Sequence, residues 1–339
     1  MGPVRCGFVD RMFASVSLTQ FDPRTAIAAD LAAVDACIRF QLASEVPLVS
    51  QVAEYIIGSG GKRLRPVLLL LVNGALGRIE PHAHSLAAVI EMIHTATLLH
   101  DDVVDESELR RGRKTANAVF GNAASVLVGD FLYSRAFQMM VTVGSMQAMR
   151  VLADATNTIA EGEVLQLINI GDADVSEDRY LQVVRFKTAK LFEAAGTIGA
   201  MLADADALVC QRMAEYGMRL GTAFQLIDDV LDYSGDISQT GKNLGDDLQE
   251  GKPTLPLLRL LSTGSPAQQA LVRTAITDPG AADFGAVLAA MRQTGALEYA
   301  SAAARAEAGR AAVLLDCLPA GPSRQTLLEL CSFAVERTG

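Results

Sequence analysis

The chain is poor in basic residues. Lys and Arg total 29 against 39 Asp and Glu, a net charge of −10 over 339 residues. That balance excludes a protein that grips nucleic acid, or an anionic lipid surface, chiefly by charge. A CxxC pair is also lacking. Cys6, Cys37, Cys210, Cys317 and Cys331 are scattered and odd in number. They argue against a zinc site or a disulfide framework and suit a reducing compartment. No apolar run nears the ~20 residues of a bilayer-spanning helix, so no transmembrane segment is expected. The opening carries Arg5 and Arg11 without a secretory apolar stretch. Residues 1–20 are expected to be a disordered tail, or the start codon is placed too early and Met12 is the true start. Residues 21–339 are read as one cytoplasmic domain.

Proline is missing where it would matter most. None stands between Pro81 and Pro253, and the intervening sequence is rich in Ala, Leu, Met and Glu. Because proline breaks helices, the gap predicts several long helices joined by short turns. The spacing agrees: Leu86, Val89, Ile90, Ile93 and Thr97 recur by threes and fours. Breaks at 233–254, 262–268, 277–283 and 318–324 are rich in Gly, Pro, Ser and Asp and read as loops. No repeat or composition shift marks a second domain. The fold class expected is all-α, a single bundle of ten or more mostly antiparallel helices around a deep central cavity.

Against this apolar background stand two acidic clusters. "LLHDDVVDESELRRGR" places Asp101, Asp102 and Asp105 as D-D-x-x-D after a core-type helix. "FQLIDDVLDYSGD" repeats the pattern with Asp228, Asp229 and Asp232. On a helix, residues i and i+4 share a face, and like charges there destabilise it unless a cation sits between them. Paired aspartates without His or Cys suit a hard, oxygen-seeking ion, and Mg²⁺ fits best because water and phosphate complete its shell.

Carboxylates that hold Mg²⁺ imply an anionic ligand, and basic residues flank the clusters. Arg110 and Arg111 follow the first one, and guanidinium forks match phosphate oxygens. In "GSGGKRLRP", Gly60 and Gly61 permit close backbone approach while Lys62, Arg63 and Arg65 supply charge. The segment is not a Walker loop, but it suits a second phosphate group. His94 lies two turns before Asp101 on the same face.

Together with "GNAASVLVGDFLYSRAFQMM", "IAEGEVLQL", "KTAKLFEAA" and "GKNLGDDLQEGKPTLPLL", these motifs resemble the all-trans polyprenyl diphosphate synthases of the isoprenyl diphosphate synthase family. The likeness runs from about residue 50 to the C-terminus and is closest to the bacterial octaprenyl type that makes quinone side chains. It implies a homodimeric prenyltransferase joining isopentenyl diphosphate to an allylic diphosphate, with about three Mg²⁺ ions bound beside the diphosphate. It implies metal ligands at Asp101, Asp105 and Asp228, with Asp229 and Asp232 near. Lys62, Arg65, His94 and Arg111 match contacts to isopentenyl diphosphate. Arg110, Lys187, Thr188, Gln225 and Lys242 match contacts to the allylic diphosphate. The basic C-terminal end of the family is only faintly echoed, by Arg337.

Product length is expected to depend on what lies below the first cluster. Ala96 and Thr97 are small where short-product relatives carry a large aromatic, which implies a long tunnel. Met140, with Met139, Phe137 and Tyr55, is a candidate for its floor. Eight isoprene units are expected, with nine or ten as alternatives. A product so apolar suggests transient membrane contact at release. Two rival readings are weaker. A terpene cyclase would carry a different second metal motif, and a non-catalytic subunit would tend to lose one acidic cluster.

Overall fold

The computed structural model describes residues 21–58, 60–77, 79–110, 112–234 and 244–336. The expected N-terminal tail, and also Arg111, Lys242 and Arg337, lie outside these residues. The chain runs through α1 (Ala28–Gln41), α2 (Pro47–Gly58), α3 (Leu64–Leu76) and α4 (Pro81–Val104). After α4 comes a departure from an all-helical chain, a two-stranded antiparallel hairpin of β1 (Leu109–Arg110) and β2 (Arg113–Lys114). Next are α5 (Ala116–Phe120), α6 (Asn122–Val143), α7 (Met146–Asn169) and α8 (Glu177–Val183). A π-helical segment, Val184–Ala189, joins α8 to α9 (Lys190–Met201), followed by α10 (Ala207–Ser234). The remainder is α11 (Asp246–Gln249), α12 (Leu255–Thr263), α13 (Pro266–Thr277), α14 (Phe284–Thr294), α15 (Ala296–Leu314) and α16 (Pro322–Glu336).

Local chemistry sets the helix ends. Pro81 opens α4 at a position where a missing N–H costs nothing. The Ser145 hydroxyl accepts from the Ala148 N–H to start α7, and Ser176 accepts from Arg179 to start α8. Gly144 turns left-handed and closes α6. The segment without proline thus holds α4 to α10, as its composition predicts.

The centre of the molecule is α3. Each residue from Val67 to Val72 is 0 % exposed, and a helix apolar all round must be enclosed by others. It packs against α9, α4 and α16, while α4 lies along α6, and α10 lies along both α9 and α15. One apolar core runs through these elements. A smaller one, built on Tyr233, Leu257, Leu260, Val272 and Met291, joins the end of α10 to α12, α13 and α14. The consequence for function is positional: α4 and α10 each end in an acidic triad, and Lys252, from the turn after α11, reaches the first of them.

Candidate active site

Asp101 and Asp105 occupy the last turn of α4 and the residue that caps it. Each lies beside a lysine from a distant element. Lys187 Nζ is 3.6 Å from Asp101 Oδ2, and Lys252 Nζ is 3.1 Å from Asp105 Oδ2. Lys187 also pairs with Glu163 at 2.6 Å and donates to Gln166 Oε1 at 2.7 Å. Lys252 also pairs with Glu250. Burial opposes the charge on both lysines, but Asp101 and Glu163 around Lys187, and Asp247, Asp105 and Glu250 around Lys252, outweigh it and raise both groups. Burial pushes Glu163 up to about 7 despite the adjoining Lys187.

The middle aspartate of each triad does something else. Asp102 is 0 % exposed and accepts from Arg110 Nε at 2.8 Å and Nη2 at 2.6 Å. Burial raises its carboxyl, and Arg110 opposes the rise. Asp229 is buried too, accepting from Tyr180 Oη on one oxygen and from Gln225 Nε2 at 2.8 Å on the other. Thr188 in turn donates to Gln225 Oε1 at 3.0 Å. Successive helical residues diverge by about 100°, so the neighbour of a site-facing aspartate enters the packing. Of the five aspartates expected to surround metal, Asp229 is therefore engaged by the protein through both of its oxygens, and Arg110 is forked onto Asp102.

Lys187 and Thr188 sit in the π-helical segment. Such bulges recur at functional sites because the extra residue re-aims side chains. Gly162 on α7 makes the placement possible: a Cβ there would lie 2.7 Å from the Lys187 backbone nitrogen and 2.8 Å from Phe186 Cβ. Behind the second triad lies a cavity of about 80 Å³, lined by Gln166, Lys187, Thr188, Gln225, Asp229 and Lys252 among others. Of the residues expected on the allylic side, Lys187, Thr188 and Gln225 line this cavity with Asp229, Arg110 faces Asp102 instead, and Lys242 lies outside the described residues.

The loop before α3 corrects one expectation. Lys62 Nζ stands 5.8 Å over the Phe224 ring, and the Arg65 guanidinium 4.5 Å over Phe192. Those rings neighbour each other, with centroids 6.1 Å apart. Arg63, expected to share in binding phosphate, turns elsewhere. It pairs with Glu91 at 2.6 Å and reaches Asp35 at 3.5 Å. A buried carboxylate on α4 needs a counter-charge, and Arg63 supplies it. His94 lies one turn beyond Glu91.

Below the first triad, Ala96 is 0 % exposed, and Thr97 donates to the His94 carbonyl at 2.9 Å. Met139 and Met140 are buried on α6, and Phe137 packs with Tyr133. Tyr55 braces the hairpin, donating to the Lys114 carbonyl at 2.7 Å, edge-on to Phe120.

The donor set fits a hard divalent ion: carboxylates are offered from two helices, with Lys187 beside Asp101 and Lys252 beside Asp105. Among the described residues no three acidic, His or Cys groups form a preassembled metal cage. Sequence reasoning missed Lys252, Glu163, Gln166 and Tyr180. Lys252 had a signal, a lysine between Gly251 and Pro253 directly after an acidic run.

Comparisons with known proteins agree with this geometry. Octaprenyl diphosphate synthase of Escherichia coli (strain K12) is 52% identical over 312 residues, 91% of this chain and 96% of that protein. All-trans-nonaprenyl-diphosphate synthase (geranyl-diphosphate specific) of Rhodobacter capsulatus is 45% identical over 312 residues, 92% and 96% of the two chains. The crystal structure of polyprenyl synthase from Caulobacter crescentus CB15, complexed with calcium and isoprenyl diphosphate, has a TM-score of 0.90 and 42% identity, covering 99% of this chain and 100% of that one. The polyprenyl synthetase family model matches residues 46–293. Two acidic triads converging on a lysine-lined site, in a helical fold shared along nearly its whole length, place this chain in the polyprenyl synthetase family.

Proposed function

We propose that this chain is a long-chain trans-polyprenyl diphosphate synthase. In this reading it adds isopentenyl diphosphate units head-to-tail to an allylic primer such as farnesyl diphosphate, yielding octaprenyl diphosphate for quinone side chains. The observation that carries the reading is the meeting of α4 and α10: Asp101 and Asp105 from one triad and the cavity behind the other share Lys187 and Lys252.

Mg²⁺, held by Asp101, Asp105 and Asp228 with Asp232 nearby, would supply positive charge to the allylic diphosphate as its C–O bond ionises. Lys187, Arg110, Gln225, Thr188 and Lys242 bind and orient that diphosphate. Lys62, Arg65, His94 and Arg111 hold isopentenyl diphosphate so that its double bond attacks the allylic carbon. The C–O bond breaks with its electron pair leaving on the diphosphate, the C–C bond then forms at the allylic carbon, and the departed diphosphate accepts the proton lost afterwards. Phe224 and the Thr188 hydroxyl face the cation with a ring and a dipole instead of a nucleophile. Ala96 and Thr97 leave room for a growing chain toward Met140. Residues 21–339 act as one domain.

A homodimer fits an apolar surface that would otherwise face water. Leu127 and Val141 on α6, and Val164, Leu167 and Ile168 on α7, are all more than half exposed. No helix of the described residues is long and apolar enough to cross a membrane. Incubation of the purified chain with farnesyl diphosphate, labelled isopentenyl diphosphate and Mg²⁺, followed by product sizing, tests the reading. A ladder ending at eight units supports it, one ending at nine or ten moves the length, and no elongation by the lone chain removes it.

A further inference from the structure

We infer that Arg63 is a positioning residue, which sets the basic loop for isopentenyl diphosphate without touching the ligand. The inference rests on the reading of Lys62, Arg65 and His94 as the site for that diphosphate.

Three observations converge. First, Arg63 has a left-handed backbone, φ 51°, directly before α3. A residue with a Cβ adopts that region at a cost, and persists there when something else holds it. Second, its side chain is 14% exposed and bonded to Glu91, whose own side chain is 8% exposed. The pair is deep enough that solvent does not dissolve it. Third, the left-handed turn separates the cations of the loop. Lys62 and Arg65 reach the Phe224 and Phe192 rings, whereas Arg63 points to α4 and toward Asp35 of α1. Glu91 stands one turn from His94. The Arg63–Glu91 ion pair therefore fixes the loop against the helix that carries the other ligand-facing group.

The functional consequence is pre-organisation. A loop already held in its binding geometry spends none of the ligand's binding energy on being ordered. Loss of the tether should weaken isopentenyl diphosphate and leave the allylic side, built on α7, the π segment and α10, as it was.

Steady-state kinetics on Arg63→Gly, Arg63→Lys and Glu91→Gln test this, with thermal denaturation alongside. Glycine accepts the left-handed backbone, so Arg63→Gly removes the tether while relieving the strain. The expected result is a KM for isopentenyl diphosphate raised about tenfold or more, with kcat within about threefold and KM for farnesyl diphosphate within about twofold. Arg63→Lys keeps the charge and should recover part of the loss. Glu91→Gln, nearly isosteric, should reproduce the split even where the glycine variant folds poorly. An unchanged KM for isopentenyl diphosphate in both variants overturns the inference, as does a parallel change of both KM values with a lowered melting temperature. Lys62→Ala separates the underlying reading: if it leaves that KM unchanged while Arg63→Gly raises it, the assignment of Lys62 fails and the tether stands.

Discussion

Lys252 Nζ lies 3.1 Å from Asp105 Oδ2, so the turn after α11 closes directly onto the first acidic triad. The lysine is 10% exposed and also pairs with Glu250. In the ligand-free protein it supplies positive charge where carboxylates converge. Lys252→Met should destabilise the protein by about 3–4 kcal/mol, the lower part of the range for breaking a buried pair because Asp105 keeps some solvent. Mg²⁺ with pyrophosphate should restore part of the loss. Melting temperatures with and without those additions check both statements.

Asp229 makes stability depend on pH. Burial, reinforced by Asp247 and opposed by the bonds from Tyr180 and Gln225, raises its carboxyl to about 8. Unfolded, it titrates near ~3.9. Between those values the native state holds a proton that the unfolded chain has released, so stability falls as pH rises through the window. The metal-free protein should lose melting temperature from about pH 5 to about pH 8. Asp229→Asn should flatten that decline. Identical slopes in the two proteins would show that Asp229 is not its source.

Gly162 lets α7 lie against the π segment. In Gly162→Ala the new methyl meets the Lys187 nitrogen and Phe186 Cβ, both closer than 3 Å. Backbone must shift, at a cost of about 1–3 kcal/mol. Lys187 then leaves Asp101, and kcat should fall about a hundredfold, as for a misplaced reacting partner. A variant with native kcat would show that Lys187 does not need this register.

Ala96→Phe should give farnesyl or geranylgeranyl diphosphate as the main products. Ala96 is fully buried one turn below the first triad, so a ring there fills the space for chain growth. Overpacking should cost about 1–3 kcal/mol as well. Product sizing decides: unchanged length would remove the tunnel from this face of α4.

Leu127→Glu and Leu167→Glu each put a charge on the exposed apolar rows of α6 and α7. Light scattering on the parent chain should report a dimer, and on each variant a monomer. A dimer that survives both changes would place the contact elsewhere.

The residues themselves determined the helical class, the two aspartate triads and the small side chains beneath the first of them. Proline spacing, i to i+4 geometry and side-chain volume are local properties, carried wherever a helix goes. The burial of Asp229 was not read there: the sequence put it beside the metal, and only the structure shows it buried between Tyr180 and Gln225. The partners of the charges were not legible. Arg63 and Arg65 are the same residue type two positions apart, yet one pairs with Glu91 and the other stacks on Phe192. Lys252 meets Asp105 only because the turn after α11 packs against the end of α4. Which cation faces which carboxylate is set by helix packing across the whole chain, and only the tertiary structure decides it.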